Sequence, residues 1–418
     1  MVFVTGFKGF LIRNKSVFKM GLAALAIAAA ADLVAGLFLG GMEEYIVMIP
    51  GMMVLVYSAI GMRGNIFGAV GSRLGTSMHM GTFEMSFRKG GILRSNMESS
   101  IALTFLISLA MGIMGWAVVG AMGMGSTDIW SFTFISMSGG LLAGLILLAF
   151  NVIIAREGHK RDWDVDNMTA PLIAAAGDIV TMPMLFLSAM FVKGCEGEDG
   201  SAGLPVVILT LCMIAFTVAL VALIARRRSS GRMDEARRIV AQSTPVLVMC
   251  LLLDIFAGLA IEGEKESLVE LAVLLILMPA FLNEGNALSG MLTSRLSSMI
   301  HLGTLRTGRF PGRDADENFA VTYIMAAATF AFIGAIASAA TMLVYGDLGI
   351  GFGRVMLIVL VAGMITTTIL NFLSYYVAVA AVRFSLDPDD HSIPITSSSM
   401  DLISAIVLIN VILLLSPM

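Results

Sequence analysis

Apolar runs of about 18 residues or more recur along the whole chain, separated by short polar segments, and that spacing predicts helices long enough to cross a bilayer. Eleven spans are expected, near residues 18–40, 44–62, 98–122, 130–155, 168–193, 203–225, 240–262, 267–284, 318–345, 352–380 and 393–416. A bilayer offers backbone groups no water to bond, so the fold class that follows is all-α, a polytopic protein among membrane lipids. In the second and eighth spans the apolar pattern breaks at Gly64-Asn65 and Gly285-Asn286. A helix is expected to end there, either in a plain C-cap or by unwinding to turn carbonyls toward a water-filled path.

The polar segments alternate in charge. Lys and Arg fall in FKGFLIRNKSVFK, FRKGGILR, AREGHKR, ARRRSSGRMDEARR, RLSSMIHLGTLRTGRFPGR and at Arg383. The opposite loops read GGMEE, GSTD, CEGEDG, EGEKE and YGD, with only Lys193, Lys265 and Arg354 as basic residues. Basic loops stay cytoplasmic, which places the N-terminus inside and the C-terminus outside a cell membrane. Composition agrees with the span pattern: 58% hydrophobic, 13% charged, mean hydropathy +0.91. The net charge of −4 averages a basic inner surface with an acidic outer one and points to no nucleic-acid partner. Cys195, Cys212 and Cys250 are too few and scattered for a disulfide framework. The segment 1–17 reads as an amphipathic surface helix without a signal-peptide cleavage site, and is expected in the mature chain.

The chain also repeats itself. Asp164-Val165-Asp166-Asn167, Pro171, and Gly177-Asp178-Ile179-Val180-Thr181 return as Asp387-Pro388-Asp389-Asp390, Pro394, and Met400-Asp401-Leu402-Ile403-Ser404, all at the one offset that carries Asp178 onto Asp401. Asp32-Leu33-Val34-Ala35-Gly36 matches Asp254-Ile255-Phe256-Ala257-Gly258 at an offset one shorter. Pro50, Gly64-Asn65, Ser72-Arg73-Leu74, His79 and Gly81-Thr82 correspond to Pro279, Gly285-Asn286, Ser294-Arg295-Leu296, His301 and Gly303-Thr304, while Asn151 and Asn371 match more loosely. Each half has five spans, an odd number, so direct fusion would invert the second. The span at 203–225 restores its direction, and a pseudo-two-fold axis along the membrane normal is expected. The division that follows is residues 1–195 for the first five-helix repeat with its basic N-terminal segment, 196–232 for a linking helix and basic loop, and 233–418 for the second repeat. Such a chain is a pseudo-dimer by itself, with further homo-oligomerisation left open.

Carboxylates inside a membrane are expensive unless they meet a cation, water or a proton, and here they come in matched sets. On helical spacing Asp178 has Thr181 on its own face, and Asp401 has Ser404, with Ser397 one turn earlier. Two facing acids with hydroxyls suit a hydrated Mg²⁺, which gives up water reluctantly; Zn²⁺ would call for His or Cys. Asp32 and Asp254 are either a second cation or coupling-ion site or neutral structural acids. Asn65 and Asn286 join the candidate ligands. Arg63 and Glu284, at equivalent positions, are expected to pair across the halves. Pro171 and Pro394 read as first-turn prolines or as functional breaks, and the acids before them as caps or cation attractors. Two other chemistries are open: soft-metal transport through Met78-His79-Met80, with methionine as packing the plainer account, and an intramembrane aspartyl protease built on Gly177-Asp178 and a second converging acid.

The Pro-led span ending in Gly-Asn, the Ser-Arg-Leu after it and the Asp-x-Asp-Asn-x-x-x-Pro-x6-Asp series of the first half, with its looser copy in the second, resemble the membrane domain of MgtE-type magnesium transporters and the related solute carrier family 41. The resemblance covers essentially the whole chain. It implies divalent cation transport without enzymatic chemistry, with Mg²⁺ as the transported ion and ligand, and it puts Asp178 and Asp401 at the family's pore aspartate, which holds Mg²⁺ largely through its waters. The five-plus-one-plus-five layout is similar to the solute carrier branch, whereas bacterial MgtE builds its pore from a homodimer of five-span domains. No room is left for the cytoplasmic sensor domains of bacterial MgtE, so gating by them is not expected. A Na⁺- or H⁺-coupled exchanger of the same ion is the alternative within transport.

Overall fold

The structure, a computed structural model, describes residues 14–79, 81–88, 90–125, 127–161, 165–197, 201–229, 232–305, 308–384 and 393–415. It is built of thirteen helices in these segments: α1 Lys15–Gly41, α2 Glu43–Met48, α3 Met52–His79, α4 Ile92–Ala121, α5 Ile129–Arg161, α6 Val165–Gly194, α7 Leu204–Ala225, α8 Glu235–Glu262, α9 Lys265–Glu270, α10 Ala272–His301, α11 Arg313–Tyr345, α12 Phe352–Phe384 and α13 Ile393–Leu415. All but α2 and α9 are long and apolar enough to cross a membrane, which makes eleven spans. The chain is an all-α polytopic membrane protein. A two-residue antiparallel pairing of Arg228–Ser229 with Arg232–Met233 follows α7.

Two spans differ from expectation. The apolar run at 44 first makes the short helix α2, turns at Ile49-Pro50-Gly51, where Gly51 takes a φ of +85°, and only then enters α3, which runs through Gly64-Asn65 to His79. The second half does the same: α9 precedes α10, which runs through Gly285-Asn286 to His301. The Gly-Asn pairs are therefore mid-helix, neither caps nor breaks. Polar residues there do not end the helix because they are buried against other helices: 72% of the best apolar window of α3 and 78% of that of α10 lie inside the bundle, against 17% for α7. Pro394 does stand in the first turn of its helix, whereas Pro171 lies well past the start of α6 at Val165.

α3 and α10 form the centre. Around them the first helix of each sequence repeat crosses over: α1 packs along α10, and α8 packs along α3 and α4. Each also touches the last helix of its own repeat, α1 against α6 and α8 against α13. Close approach needs the matched glycines. A methyl at Gly36 would fall 1.9 Å from the Ile276 carbonyl oxygen of α10, and one at Gly258 would fall 2.6 Å from Val54 Cα of α3. The repeated Asp-x-x-x-Gly motif thus seats α1 and α8 with an acid one turn from the contact. At the outer end of α8, as the charge pattern orients it, buried Glu262 accepts backbone N–H groups from Gly51 (2.8 Å) and Met53 (3.0 Å) and pairs with Lys265 (2.7 Å). At the other end Glu98 on α4 is held by Arg94 (2.8 Å) and by Arg227 after α7, tying the linking helix to the first half.

Candidate metal-ion site

Four acids meet in the middle of the bundle on four different helices: Asp32 on α1, Asp178 on α6, Asp254 on α8 and Asp401 on α13. Their exposures are 1%, 4%, 0% and 8%, so the cluster is shielded from bulk water. They gather as two pairs. Asp32 and Asp178 are in side-chain contact, and Asn283 of α10 bridges them, its Nδ2 donating to Asp32 Oδ2 (2.9 Å) and Asp178 Oδ2 (3.2 Å). Asp254 and Asp401 form the second pair, interacting through space. Asn286 Nδ2 donates to Asp401 Oδ1 at 2.8 Å. Asp254 lies against the backbone of α3, where a methyl on Gly61 would come within 2.4 Å of its Oδ2. The pairs feel one another, because the charge of Asp401 also acts on Asp178.

The hydroxyls expected beside the acids take different places. Thr181 and Ser404 are fully buried, and neither oxygen has a hydrogen-bond partner among the described residues. Ser404 Oγ faces α10, 2.8 Å from where a methyl on Gly285 would stand. From α13 it is Ser398, fully buried, that reaches across the halves: Asn65 Nδ2 donates to its Oγ at 3.1 Å, and it is the hydroxyl that acts on Asp254. Ser397 is half-buried on the neighbouring face. Asn283 and Ser398 are not among the residues that the sequence singles out, although the polar run Asn283-Glu284-Gly285-Asn286 inside an apolar span is a usable signal.

The expected ion pair between Arg63 and Glu284 is not formed. Arg63, 1% exposed, turns to α4 and donates to Ser108 Oγ at 3.0 Å, while its Nε and Nη1 find no partner among the described residues. Glu284, 2% exposed, turns to Thr329 of α11, and its Oε1 likewise finds none. Each side chain points into its own half, away from the other. The arginines of the two Ser-Arg-Leu motifs anchor helix ends: Arg73 donates to Asn96 (2.8 Å) and Arg295 to Asn14 at the start of α1 (3.3 Å). Asp164, Asp387, Asp389, Asp390, Met80 and most of the N-terminal surface segment lie outside the described residues, as do the side chains of Asp166, Asn167, Pro171, His79 and His301.

Among the described residues no three His, Cys, Asp or Glu side chains come together as ligands for a bare metal ion. Carboxylates in twos, with amides and free hydroxyls around them, match instead an ion that keeps much of its water, which is the habit of Mg²⁺. The amide donors on Asp32, Asp178 and Asp401 occupy lone pairs that a cation would use. An ion that settles there has to displace them.

The profile of MgtE, described as divalent cation transporter, matches residues 56–188 and 278–411. Those stretches take in most of α3 to α6 and of α10 to α13, with Asp178 and Asp401, and leave out α1 and α8 with Asp32 and Asp254. Solute carrier family 41 member 3 of Mus musculus is 23% identical over 391 residues, 88% of this chain and 76% of that protein. Solute carrier family 41 member 2 of Xenopus laevis is 20% identical over 255 residues, 60% of this chain and 43% of that protein, so less than half of the Xenopus relative is spanned. A crystal structure of a eukaryotic MATE transporter aligns over 98% of this chain and 97% of its own at 11% identity, with a TM-score of 0.33. Matched twice, in order, over more than half its length, the chain belongs to the MgtE family of divalent cation transporters.

Proposed function

We propose that the chain carries a hydrated divalent cation, Mg²⁺ before others, across the cell membrane along the interface between its two five-helix repeats, past Asp178 and Asp401. The observation that carries this reading is the meeting of four buried acids, two from each repeat, in one interacting cluster. Two carboxylates neutralise the ion, and the others keep the path negative. Thr181, Ser404, Asn65, Asn286 and Ser397 are the candidates for holding the ion's waters. Asn283 and Asn286 shield the acids between passages and must let go for an ion to settle. Because the acids are buried, passage requires the helices around them to move apart. The cytoplasm lies on the side of the basic loops, with the N-terminus inside and the C-terminus outside.

MgtE and solute carrier 41 proteins are transporters, so the chain is not an enzyme, and the acid pairs are not the dyad of a protease. A second reading, exchange of the divalent ion against Na⁺ or H⁺, is favoured by one observation: each pore acid has a second acid beside it, from α1 or α8. Flux driven by an imposed Na⁺ or pH gradient would separate exchange from simple passage.

The central test uses purified protein in liposomes. Asp178→Asn and Asp401→Asn each remove one charge without changing shape, and Mg²⁺ flux is expected to fall at least about tenfold in each, since an intramembrane charge is worth several kcal/mol. Added Mg²⁺ should raise the melting temperature of the parent and do so less in the variants, because the ion binds only the folded state. Parental flux in the double variant would move the assignment to Asp32 and Asp254.

A further inference from the structure

The outer ends of the two halves differ at one pair of matched positions. By the offset that carries Asp32 onto Asp254, Tyr45 on α2 corresponds to Ser267 on α9, and by the one that carries Asp178 onto Asp401, Phe186 on α6 corresponds to Ile409 on α13. In the first half the two aromatic rings close on each other edge to face, centroids 5.0 Å apart and planes at 86°. The second half has a hydroxyl and an aliphatic side chain there, and a cavity of about 230 Å³ opens beside them, lined by Glu264, Ser267, Glu270, Arg354, Ile409 and Ile412 among others. A cavity of this size has room for several waters, as a hydrated divalent ion requires. Two carboxylates against one guanidinium leave the rim negative.

The helix that floors this cavity also carries Asp401. Ile412, Leu408, Ser404 or Ala405, and Asp401 follow one another at helical spacing on one face of α13, and Ile412 stands about 16 Å along the axis from Asp401 at 1.5 Å per residue. On that face, one turn from Asp401, is the Ser404 hydroxyl, buried and without a partner among the described residues. On α6 the position matching Ile412 is Ala189, 0% exposed and three residues beyond Phe186.

We propose that the cation path opens to the outside through the second half alone: a hydrated divalent cation enters by the cavity at Ser267 and Ile409, and the Tyr45–Phe186 pair closes the matching route in the first half. This rests on the transport reading above, and its test separates the two.

In protein freed of Cys195, Cys212 and Cys250 by substitution with Ala, Ile412→Cys and Ala189→Cys are exposed to a small charged thiol reagent in detergent. Ile412→Cys should react at least about tenfold faster, since access governs thiol reaction once the thiol is the same. Adding Tyr45→Ser and Phe186→Ile should bring Ala189→Cys up to a similar rate. In liposomes, Ser267→Tyr with Ile409→Phe should slow Mg²⁺ flux at least about tenfold, as an apolar constriction closes a pore, while the Mg²⁺-induced rise in melting temperature stays parental. Should that variant fold poorly, reagent attached at Ile412→Cys blocks flux in protein already folded. Equal reactivity of the two cysteines, or flux indifferent both to the transplanted rings and to the attached reagent, overturns the one-sided mouth and leaves transport standing. A parent that carries no divalent ion overturns both.

Discussion

At the same place in the two halves, α3 buries a guanidinium and α10 a carboxylate. Arg63 and Glu284 are equivalent at the offset that carries Gly64-Asn65 onto Gly285-Asn286, and at that same offset so are their hydroxyl neighbours Ser108 and Thr329. Helix frame, partner helix and partner chemistry are all kept while the sign of the charge is reversed. The halves therefore hold one architecture in two electrostatic versions, and a repeat in sequence is no guarantee of a repeat in role. The same lesson appears at the end opposite the basic loops, where one half has an aromatic pair and the other a cavity, and at Glu262, whose matched position is Gly40.

The largest effect should come from exchanging the reversed charges. Arg63→Glu and Glu284→Arg each place a charge in a site shaped for the opposite one, at a loss of about 3–5 kcal/mol apiece. Because the two side chains point into separate halves, the double swap should lose about the sum and give no rescue. Thermal unfolding in detergent measures it. Rescue by the double swap would mean that the two positions meet, and the comparison between halves would break.

A smaller loss is expected at the unequal ends opposite the basic loops. Glu262→Ala leaves two buried N–H groups of the α2–α3 turn and the Lys265 ammonium without their acceptor, which should cost about 3 kcal/mol. Glu262→Gln keeps one acceptor and should lose about half of that. Proteolysis at the 49–51 turn is the readout, and equal cleavage of parent and both variants would show that the contact does not secure it.

The smallest effect sharpens the comparison at Gly64 and Gly285. A methyl at Gly64 meets nothing within 4 Å, whereas one at Gly285 would stand 2.8 Å from Ser404 Oγ. Gly64→Ala should then stabilise the helix by up to about 1 kcal/mol. Gly285→Ala should give no such gain and should weaken Mg²⁺-induced stabilisation by displacing Ser404. Equal gains in both would place Ser404 away from α10.

The eleven spans and the matched acids were legible because lipid imposes apolar runs of fixed length and makes every intramembrane charge stand out. The ends of α3 and α10 were not. Residues such as Arg63, Asn65 and Glu284 lower the hydropathy of those helices as a loop would, and only their burial by neighbouring helices distinguishes the two cases. Which acid meets which was also hidden. Spacing placed Asp178 near Thr181, but Asp32 beside Asp178 and Asn283 between them depend on α1 crossing to α10, a tertiary event with no local signature. The Arg63–Glu284 pairing failed for the same reason: equivalence in a sequence repeat does not fix which way a side chain turns.

That crossing makes assembly a matter of timing. About 230 residues separate the end of α1 from the start of α10, which at 5–20 residues per second is on the order of 10–50 s of synthesis. Through that interval Asp32 has been inserted without Asn283, and Gly36 has no helix to lie against. α8, by contrast, finds α3 already in the bilayer as it emerges. The nascent first half is thus left open along one side until the second is made, and α1 must be retained near the translocon or find α10 by lateral diffusion.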